Sequence, residues 1–550
     1  MLKLLERRGV SAAELKGFLN PAVADLDDPA GLPGVSEAAD LILAFVAEKR
    51  PVVVFGDYDC DGISATAILV MVLGKLGGKV TPFLPERLTE GYGMSEASVN
   101  RMLHEHPDVK LVITVDNGIN SDECVADLKR RGVSVVVTDH HLPGATLPAA
   151  DVIVNPKVAS PAHFADLCGA GVAYLLAYRL VNEAKRRGLY TGQSVGGPPL
   201  VLAGLATVTD IMPLLGQNRI LVAEALRHFR RHAPTGLSEL HQRAARNAGE
   251  ELTTRDFGFV IGPRINAVGR LDSGMKALAL LLESDRDAAR VKAVEVDRFN
   301  VERKNIEQKM TEEAMAKIVP GAPAQVIDLP EGHPGVAGIV AARVMERLAA
   351  DPEGLGTVPV CVIAGGHGSA RAPEGINIRD AFEACSAVLT RFGGHAAAAG
   401  FTVAEGKTDE FRELLCTYCR KTRGTVPMRR SPFDAVELWI EPKDLTLGLA
   451  EQLRRLEPFG EGNPQPVFGL RGVRLSDVRP LGNEGRHVQF FFRDRAIPRA
   501  VWWNHGELIE TLRGKGAAPY DLAFTLEVSD YGGPHPELRL VGLEPVNGCH

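Results

Sequence analysis

The sequence predicts an α/β protein with a mostly parallel sheet in its first part and a small β-barrel at its C-terminal end. Short β-branched runs, PVVVF (51–55), VKLVITV (109–115) and VSVVVT (133–138), alternate with helical segments. Strands that alternate with helices form a parallel sheet with helices on both faces. After about residue 431 come five short strands, with one helical interruption between the third and fourth. That order is typical of an OB-type barrel.

A long polar stretch without Pro or Gly separates two α/β parts. It covers residues 286–319 and predicts one helix spanning two lobes, because the first helix breaker is Pro320. A second α/β unit follows, in which we expect NIRDAFEACSAVLTRF (377–392) to be a helix. The predicted parts are a helical lead-in (1–50), a first α/β lobe (51–285), a connecting helix (286–320), a smaller α/β lobe (321–424) and an OB-type domain (425–550).

The composition is that of a soluble globular protein, with 45% hydrophobic and 24% charged residues. No apolar run approaches the roughly 20 residues of a membrane-spanning helix, and the charged N-terminus does not fit a secretory signal. We therefore expect a cytoplasmic protein without a membrane partner. The net charge of −7 argues against coating nucleic acid by bulk charge, but it is compatible with a local basic groove.

One cysteine pair, Cys416 and Cys419, has the CxxC spacing of a zinc site. It lies in FRELLCTYCRK, which predicts a helix, and no second Cys or His pair follows nearby. Two thiols packed in the core are therefore favoured over zinc.

The strongest chemical signal is GDYDCDG, which places Asp57, Asp59 and Asp61 just after a strand. Two carboxylates about 4 Å apart repel by about 4 kcal/mol at an effective dielectric constant of 20, so the cluster needs protons or cations. A calcium EF-hand loop is excluded, because its twelfth position would be Ile68 and a strand precedes it. The plain alternative is a solvated acidic loop.

Similar residues follow the other predicted strands. LVITV leads into Asp116, VSVVVT leads into Asp139, His140 and His141, and the helical LAGLATVT leads into Asp210. Ligands collect at the carboxyl ends of parallel strands, although any one Asp, above all Asp210, could be a helix cap instead. This mixed Asp/His set suits Mn²⁺ or Mg²⁺ better than zinc, and about five ligands indicate a two-metal site that acts on phosphate esters.

The motifs GDYDCDG, VDNG, DHH and TVTDIMPL, in this order and spacing, resemble the DHH phosphoesterase family. GPRINAVGRLD, HPGVAGIVAARV, GSARAPEGINIRDAF, RFGGHAAAAGF and LEPFGEGNPQPVF resemble its RecJ branch of single-strand-specific 5′→3′ DNA exonucleases. The resemblance runs from about residue 5 to the end. Relative to many members of the branch the chain begins late, which implies that a short N-terminal helical segment is absent.

The resemblance implies a DHH catalytic lobe with two divalent cations, Mn²⁺ or Mg²⁺, bound by Asp59, Asp61, Asp116, His140 and Asp210. It implies that Asp116 bridges both ions and that Asp57 is a ligand or a hydrogen-bonding partner of one. Asp139 would orient the neighbouring imidazole. His141 would face the scissile phosphate, as a proton donor or to stabilise charge.

Other polar residues are candidates for holding DNA: Arg87, Arg264, Asn266, Arg270, Asn300 and Arg303. Arg guanidinium groups bind phosphate with two parallel hydrogen bonds. A structural ion pair is an equally good interpretation for Arg87 and for the 264–270 segment. Asn300 and Arg303, on the long helix, could equally be part of a solvated face.

Two Gly-rich segments are expected to be turns that approach an anion closely: one with Ser369 and Arg371 after a strand, the other formed by Gly393, Gly394 and His395. The resemblance implies that Ser369, Arg371 and Arg87 bind a terminal 5′-phosphate, and that residues 393–395 contact the nucleotide near the scissile bond. A third segment, GAGVA at residue 169, predicts close helix packing.

The C-terminal domain offers aromatic side chains that could stack on bases: Phe490, Phe491, Phe492, Trp502, Trp503 and Tyr531. Alternate positions in the FFF and WW runs must face the core, so we expect half of these rings or fewer to be exposed.

The resemblance implies a 5′→3′ exonuclease that degrades single-stranded DNA to mononucleotides in DNA repair and recombination, with the strand passing between the two lobes. The implied partners are single-stranded DNA with a 5′ end, a single-strand binding protein and a helicase, and a monomer is expected. One alternative is a small-substrate DHH phosphodiesterase acting on oligonucleotides or cyclic dinucleotides, although the roughly 120 residues after 431 favour a polymer. The other is a non-catalytic DNA-binding scaffold.

Overall fold

The structure is a computed structural model that describes residues 1–87, 89–91, 93–159, 162–245, 251–350, 358–422, 431–482, 485–514, 518–529 and 533–546. The chain divides into two compact units. We call them the barrel unit (residues 1–27, 211–226 and 430–550) and the sheet unit (residues 28–210 and 227–429). Of the predicted aromatic residues, Tyr531 lies outside the described part of the chain.

The α-helices of the described residues are, in chain order, α1 (Leu2–Arg7), α2 (Leu15–Leu19), α3 (Val35–Ala47), α4 (Cys60–Lys75), α5 (Glu96–Glu105), α6 (Asp122–Arg130), α7 (Pro156–Ala159), α8 (Gly169–Arg186), α9 (Pro198–Thr209), α10 (Gly216–His232), α11 (Thr235–Ala244), α12 (Gly262–Leu271), α13 (Met275–Leu281), α14 (Arg286–Ala316), α15 (Ala337–Ala350), α16 (Ile378–Ala384), α17 (Thr408–Thr422), α18 (Leu447–Arg454) and α19 (Ile509–Gly514). In the part of the chain that is described, no single helix is long and apolar enough to cross a membrane, although the segments Val23–Gly31 and Val35–Ala47 pass that test as a bent pair.

The strands are β1 (Pro51–Phe55), β2 (Lys79–Phe83), β3 (Leu111–Val115), β4 (Ser134–Thr138), β5 (Val152–Val154), β6 (Gln325–Leu329), β7 (Val360–Ala364), β8 (His367–Arg371), β9 (Leu389–Gly394), β10 (Ala398–Val403), β11 (Val436–Trp439), β12 (Val467–Leu481), β13 (His487–Phe492), β14 (Ala500–Trp502), β15 (Pro519–Ser529) and β16 (His535–Pro545). They form two five-stranded sheets in the sheet unit and a barrel in the barrel unit.

The first sheet has the order β2-β1-β3-β4-β5, and all its pairings are parallel. Every residue of β3 is buried, as expected for a strand covered on both faces. The carboxyl ends of β1, β3 and β4 therefore meet at one edge, as the alternation of strands and helices predicts. This is the edge at which the acidic motifs lie.

The second sheet has the order β6-β7-β8-β10-β9, with β6 and β7 parallel and the other pairs antiparallel. The prediction of one helix over 377–392 is wrong in its second half, because α16 ends at Ala384 and Leu389–Gly394 is strand β9. The backbone of β9 bonds to β10, and Phe392 packs on Phe382 in the core of the lobe. Long-range pairing overrides local helix preference here.

The Gly-rich segment with Ser369 and Arg371 is also not a turn, because both residues lie in β8. The turn lies between β7 and β8 and is formed by Gly365 and Gly366, with φ of 52° and 80°. Left-handed backbone of this kind favours glycine. The two polar side chains are therefore held by a strand that pairs with β7 and β10.

The polar stretch after residue 285 forms the single helix α14, which has 31 residues. Asp285 caps it by accepting a hydrogen bond from the backbone N–H of Ala288 at 2.9 Å. It packs on α11, α12 and α13 of the first lobe and on α15 and β6 of the second. The predicted connecting helix is therefore present.

The barrel unit contains the predicted OB-type barrel. Strands β12, β13, β14, β16 and β15 pair in that order, and β15 pairs with β12 to close the ring. Helix α19 lies between β14 and β15, where the sequence places it. Phe490 and Phe492 are buried in the core, whereas Trp503 is 41% exposed. Alternation along β13 therefore assigns part of the aromatic set to packing, as expected.

Candidate metal centre

Eight Asp and His side chains lie at the carboxyl edge of the first sheet. Asp57 and Asp59 lie in the loop after β1 and Asp61 lies in the first turn of α4. Strand β3 leads to Asp116, β4 leads to Asp139, His140 and His141, and Asp210 directly follows α9. Their ligand atoms form three groups within 4.8 Å: Asp61, His140 and Asp210; Asp57, Asp59 and Asp116; Asp116, His140 and His141. Neither Cys416 nor Cys419 belongs to such a group among the described residues, and both are buried in the core.

Hydrogen bonds fix residues 57–61, the segment that carries the first three carboxylates, which we call the acidic loop. Asp59 caps α4 by accepting from the backbone N–H groups of Asp61 (2.9 Å) and Gly62 (3.1 Å). The N–H of Cys60 donates to the side-chain oxygen of Asn266 at 2.7 Å. Asn266, predicted to hold DNA, thus uses its acceptor to anchor the acidic loop.

Asp61 is bound by the N-terminus of α8. Its two oxygens accept from the backbone N–H groups of Gly169 and Ala170, both at 2.7 Å. The positive end of the helix dipole stabilises a carboxylate at this place. Each oxygen has a second lone pair, which is available to a cation.

Asp116 is buried and has φ of +62°, a strained conformation for a residue other than glycine. Strain of this kind persists only where the surroundings enforce it. A Cβ atom on Gly169 would lie 2.6 Å from the Cβ of Asp116, so only glycine allows α8 to approach this closely. The glycine predicted to serve helix packing therefore makes room for a candidate metal ligand.

His140 lies among three carboxylates from different segments. Its Nε2 is 3.1 Å from Oδ1 of Asp116, and 3.7 Å from Oδ2 of both Asp61 and Asp210. Burial lowers the pKa of His140 to about 4. The imidazole is therefore neutral at physiological pH, which is the form that binds metals.

Asp139 orients the adjacent DHH backbone and side chains. It accepts from the N–H groups of His140 (2.7 Å) and Ile119 (3.0 Å), and its Oδ1 lies 2.7 Å from Nδ1 of His141. Burial alone would lower the pKa of His141, but the hydrogen bond and charge of Asp139 raise it to about 9. The two adjacent imidazoles thus differ in charge at neutral pH.

The remaining carboxylates repel one another in a buried site. Burial and the neighbouring carboxylates raise the pKa of Asp57 and Asp116 well above the usual range, and that of Asp210 to about 8. Both oxygens of Asp57 are buried and accept no hydrogen bond from any described residue. A divalent cation would relieve this repulsion, and the oxygen-rich donor set fits Mn²⁺ or Mg²⁺.

A second cluster, of like positive charge, lies beside the acidic loop; we call Arg87, Arg270 and Arg371 the arginine cluster. The Arg87 guanidinium lies 5.0 Å from the ring centroid of Tyr58. Burial and then the charge of Arg87 lower the pKa of Arg270, to about 10, and that of Arg371. None of the three forms an ion pair with a described carboxylate, so the cluster can accept an anion.

His333 lies near the arginine cluster and is not among the site residues predicted from the sequence. It caps the turn before α15, and burial followed by the charge of Arg87 lowers its pKa. The next glycine, Gly335, accepts a hydrogen bond from Nη1 of Arg270 at 3.2 Å. In the sequence, the position of His333 at the start of the HPGVAG motif could have indicated that it lies in this turn.

Three predicted DNA-binding residues have structural partners. Arg264 pairs with Asp297 at 2.9 Å, as the ion-pair alternative proposed. Asn300 and Arg303 are buried, and Arg303 donates to Asn300 at 2.6 Å and pairs with Glu307. The solvated-face alternative for α14 is therefore wrong at these positions, because this side of the helix packs within the sheet unit.

Gly393, Gly394 and His395 lie where β9 turns into β10, and Gly394 has φ of +138°. Burial lowers the pKa of His395, and the nearby positive charges of His141 and Lys157 lower it further. The turn between β9 and β10 therefore lies near His141 and Lys157 of the first lobe.

Comparison with known families gives three matches along the chain. The N-terminal domain of the DHH family matches residues 51–193, the DHHA1 domain matches residues 322–421, and the RecJ OB domain matches residues 436–541. These matches fall on the first sheet, the second sheet and the barrel.

Comparisons over most of the chain also find RecJ exonucleases. The single-stranded-DNA-specific exonuclease RecJ of Dickeya dadantii is 34% identical over 510 residues, covering 88% of this chain and 85% of that protein. The enzyme of that name from Thermus thermophilus is 38% identical over 491 residues, covering 88% and 68%. The crystal structure of RecJ from Thermus thermophilus in complex with Mn²⁺ aligns with a TM-score of 0.82 at 33% identity, covering 98% of this chain and 75% of that one. The complex with Mg²⁺ gives a TM-score of 0.75 at 31% identity, covering 98% and 74%.

Gly169→Ala should weaken metal binding, because its Cβ would displace Asp116 or the N-terminus of α8. Disturbing the groups that support a metal ligand typically lowers affinity by about 10- to 100-fold. Calorimetric titration with Mn²⁺ measures the change. Gly74→Ala, within α4 and with nothing within 4 Å of an added Cβ, is the matched control. Equal Mn²⁺ affinity in both variants would contradict the assignment.

Stabilisation by Mn²⁺ should increase with pH. The folded metal-free protein holds protons on Asp57, Asp116 and Asp210 that the unfolded chain loses near pH 4. Its stability therefore falls as pH rises toward the pKa of Asp210, about 8, and Mn²⁺ removes that loss. Thermal unfolding with and without Mn²⁺ should show a larger rise in Tm at about pH 8 than at about pH 6. Asp210→Asn should reduce this difference, and a rise in Tm independent of pH would contradict the prediction.

Proposed function

The chain belongs to the RecJ family of single-stranded-DNA-specific exonucleases, and on that premise we propose that it removes mononucleotides from the 5′ end of single-stranded DNA by two-metal hydrolysis. The observation that carries the proposal is the convergence of carboxylates and a neutral imidazole at one sheet edge, beside guanidinium groups that pair with no described carboxylate. One cluster suits cations and the other suits a phosphate, which is what a phosphodiesterase acting at a phosphorylated end requires.

The proposed metal ligands are Asp59, Asp61, Asp116, His140 and Asp210. Of the three groups of donors, two share no residue and so support two ions: Asp57, Asp59 and Asp116 form one, and Asp61, His140 and Asp210 form the other. Asp116 lies 3.1 Å from His140 and so adjoins both groups, which supports a bridging role. Bound there, the cations would activate a water and stabilise charge on the phosphate oxygens.

The proposed role of His141 follows from its charge. Asp139 keeps this imidazole cationic, so it can stabilise the developing negative charge on the scissile phosphate or donate a proton to the leaving 3′-oxygen. Asp139 would set the orientation of the ring. Asp57, buried without a hydrogen bond from any described residue, would bind the nearer cation directly or through a water.

The arginine cluster is the proposed site for the terminal 5′-phosphate. Arg371 and Ser369 project from the same strand, and Arg87 lies close enough to lower the pKa of Arg371. Water attack at the scissile phosphorus releases the 3′-oxygen of the terminal nucleotide and leaves the phosphate on the shortened strand. Each cycle thus regenerates the 5′-phosphate that this site binds.

Further parts of the proposal concern the path of the strand and its setting. The strand would lie between the two lobes of the sheet unit, with residues 393–395 near the scissile bond and the OB barrel holding DNA elsewhere. The proposed setting is DNA repair and recombination in the cytoplasm, as a monomer that works with a helicase and a single-strand binding protein. The family assignment supports these points.

Asp116→Asn should abolish nuclease activity, because it removes the charge next to both groups of ligands. Loss of several kcal/mol of transition-state stabilisation lowers the rate by about three orders of magnitude or more. Release of nucleotides from 5′-labelled single-stranded DNA with Mn²⁺, resolved by size, measures it. Asp108→Asn, at an exposed carboxylate paired with Lys79, is the control. Equal rates in the two variants, or digestion of blunt duplex as fast as single strand by the wild type, would contradict the proposal.

Arg371→Ala should raise KM for 5′-phosphorylated single strands by about tenfold or more, because it removes a charge-assisted contact to the terminal phosphate. The same strand with a 5′-hydroxyl end should be affected little. Arg412→Ala, at a half-exposed guanidinium paired with Asp409, provides the control. Equal losses on both kinds of end would show that Arg371 does not read the phosphate.

A further inference from the structure

Lys157 is placed beside the DHH motif by the backbone of the first sheet. Strand β5 pairs with β4, and the next residue, Asn155, donates from Nδ2 to the carbonyl oxygen of His141 at 3.0 Å. Oδ1 of Asn155 accepts from the backbone N–H of Lys157 at 2.7 Å. One side chain thus ties Lys157 to the DHH segment. Lys157 is exposed and forms no ion pair with a described carboxylate.

Arg379 is placed on the facing lobe in a comparable way. Asn377 caps α16 and accepts from the backbone N–H of Arg379 at 3.0 Å. The neighbouring Ile378 donates its N–H to the carbonyl oxygen of Ala396 at 2.9 Å, in the turn that carries His395. Arg379 is exposed, and within the described residues no carboxylate forms an ion pair with it. The first lobe therefore presents Lys157 near His141, and the second lobe presents Arg379 near His395.

The order of the first sheet places Lys157 and Arg87 on opposite sides of the candidate metal centre. Lys157 follows the edge strand β5, Arg87 follows the opposite edge strand β2, and the strands that lead to the acidic motifs lie between them. After burial and the charge of His141, the charges of Lys157 and Arg379 lower the pKa of His395.

We propose that Lys157 and Arg379 bind the backbone phosphate on the 3′ side of the scissile phosphate, in the strand that remains bound after cleavage. The inference rests on the proposed function. The terminal phosphate occupies the arginine cluster and the scissile phosphate lies at the carboxylate edge. The following phosphate must then leave on the side away from the arginine cluster, toward β5 and Lys157 and toward the β9–β10 turn beside Arg379. An ammonium group and a guanidinium group, neither paired with a described carboxylate, suit a phosphodiester.

The contact has a defined consequence for the reaction. It holds the shortened strand while the mononucleotide leaves, so it should increase the number of nucleotides removed per encounter. It does not touch the reacting atoms, so the rate of the chemical step should stay unchanged. Because each neutralised phosphate of a single strand contributes about 0.7 to the slope of log K against log salt, the contact should also be visible in the salt dependence of binding.

The test compares Lys157→Ala and Arg379→Ala with Lys110→Ala, an exposed lysine before β3 at the opposite edge of the same sheet. Binding of a 5′-phosphorylated oligothymidine is measured by fluorescence anisotropy in EDTA over a range of salt. Each of the first two variants should weaken binding by roughly three- to tenfold and reduce the salt slope by about 0.7. Lys157→Arg should restore most of the affinity, because it keeps the charge.

The second measurement uses Mn²⁺ and a trap of excess unlabelled strand. Lys157→Ala and Arg379→Ala should release fewer nucleotides per binding event, while the saturating single-turnover rate of the first cleavage stays within about twofold of the wild type. If the wild type degrades the strand and both variants behave like Lys110→Ala, the inference is overturned and the proposed function stands. A lower single-turnover rate with an unchanged salt slope would also overturn it. If the wild type does not degrade single strands at all, the proposed function itself fails.

Discussion

The mutual repulsion of buried carboxylates at the carboxyl edge of the first sheet is the constraint on which the rest of the structure depends. Asp57, Asp61 and Asp116 are almost completely buried, and the sheet brings them together because parallel strands end at the same side. In a medium of low dielectric constant this arrangement is unfavourable without cations or protons. Helices α4 and α8, which surround this edge, stabilise the buried carboxylates.

The chain counters part of this repulsion with the dipoles of backbone N–H groups. Helix α8 directs two backbone N–H groups at Asp61, and Asp59 is bound by the first turn of α4. Backbone N–H groups stabilise a carboxylate without occupying all its lone pairs, as a lysine or arginine in the same place would tend to do. The acidic edge therefore stays available to metal ions. His140, kept neutral by burial, offers a donor nitrogen without adding charge.

The arginine cluster presents the complementary problem, because like positive charges lie together and pair with no described carboxylate. Arg270 connects the two lobes. It lies in α12 directly after Gly269, which packs on the acidic loop, and it donates a hydrogen bond to the carbonyl oxygen of Gly335 before α15. A Cβ atom at Gly269 would lie 2.2 Å from the carbonyl oxygen of Tyr58, so this contact also needs glycine. Two sites of opposite charge are thus held at a fixed spacing by tightly packed backbone.

The sequence by itself determined the features that depend on neighbours in the chain. The β-branched runs and their alternation with helices predict the parallel sheet, and the acidic motifs directly after the strands predict which edge carries the chemistry. The absence of helix breakers between residues 286 and 319 predicts α14, and five strands with one helical interruption predict the barrel. These signals are local, so no knowledge of tertiary contacts is needed to find them.

Only the tertiary structure decided what each polar residue contacts. Asn266 and the acidic loop are 206 positions apart, and nothing near either one indicates their hydrogen bond. Gly169 has the local pattern of helix packing, but its place against Asp116 makes it part of the candidate metal centre. Strand β9 has a helical pattern and is extended because β10 supplies its hydrogen bonds. The physical reason is common to all three: the deciding partner comes from a distant part of the chain, and its energy outweighs local preference.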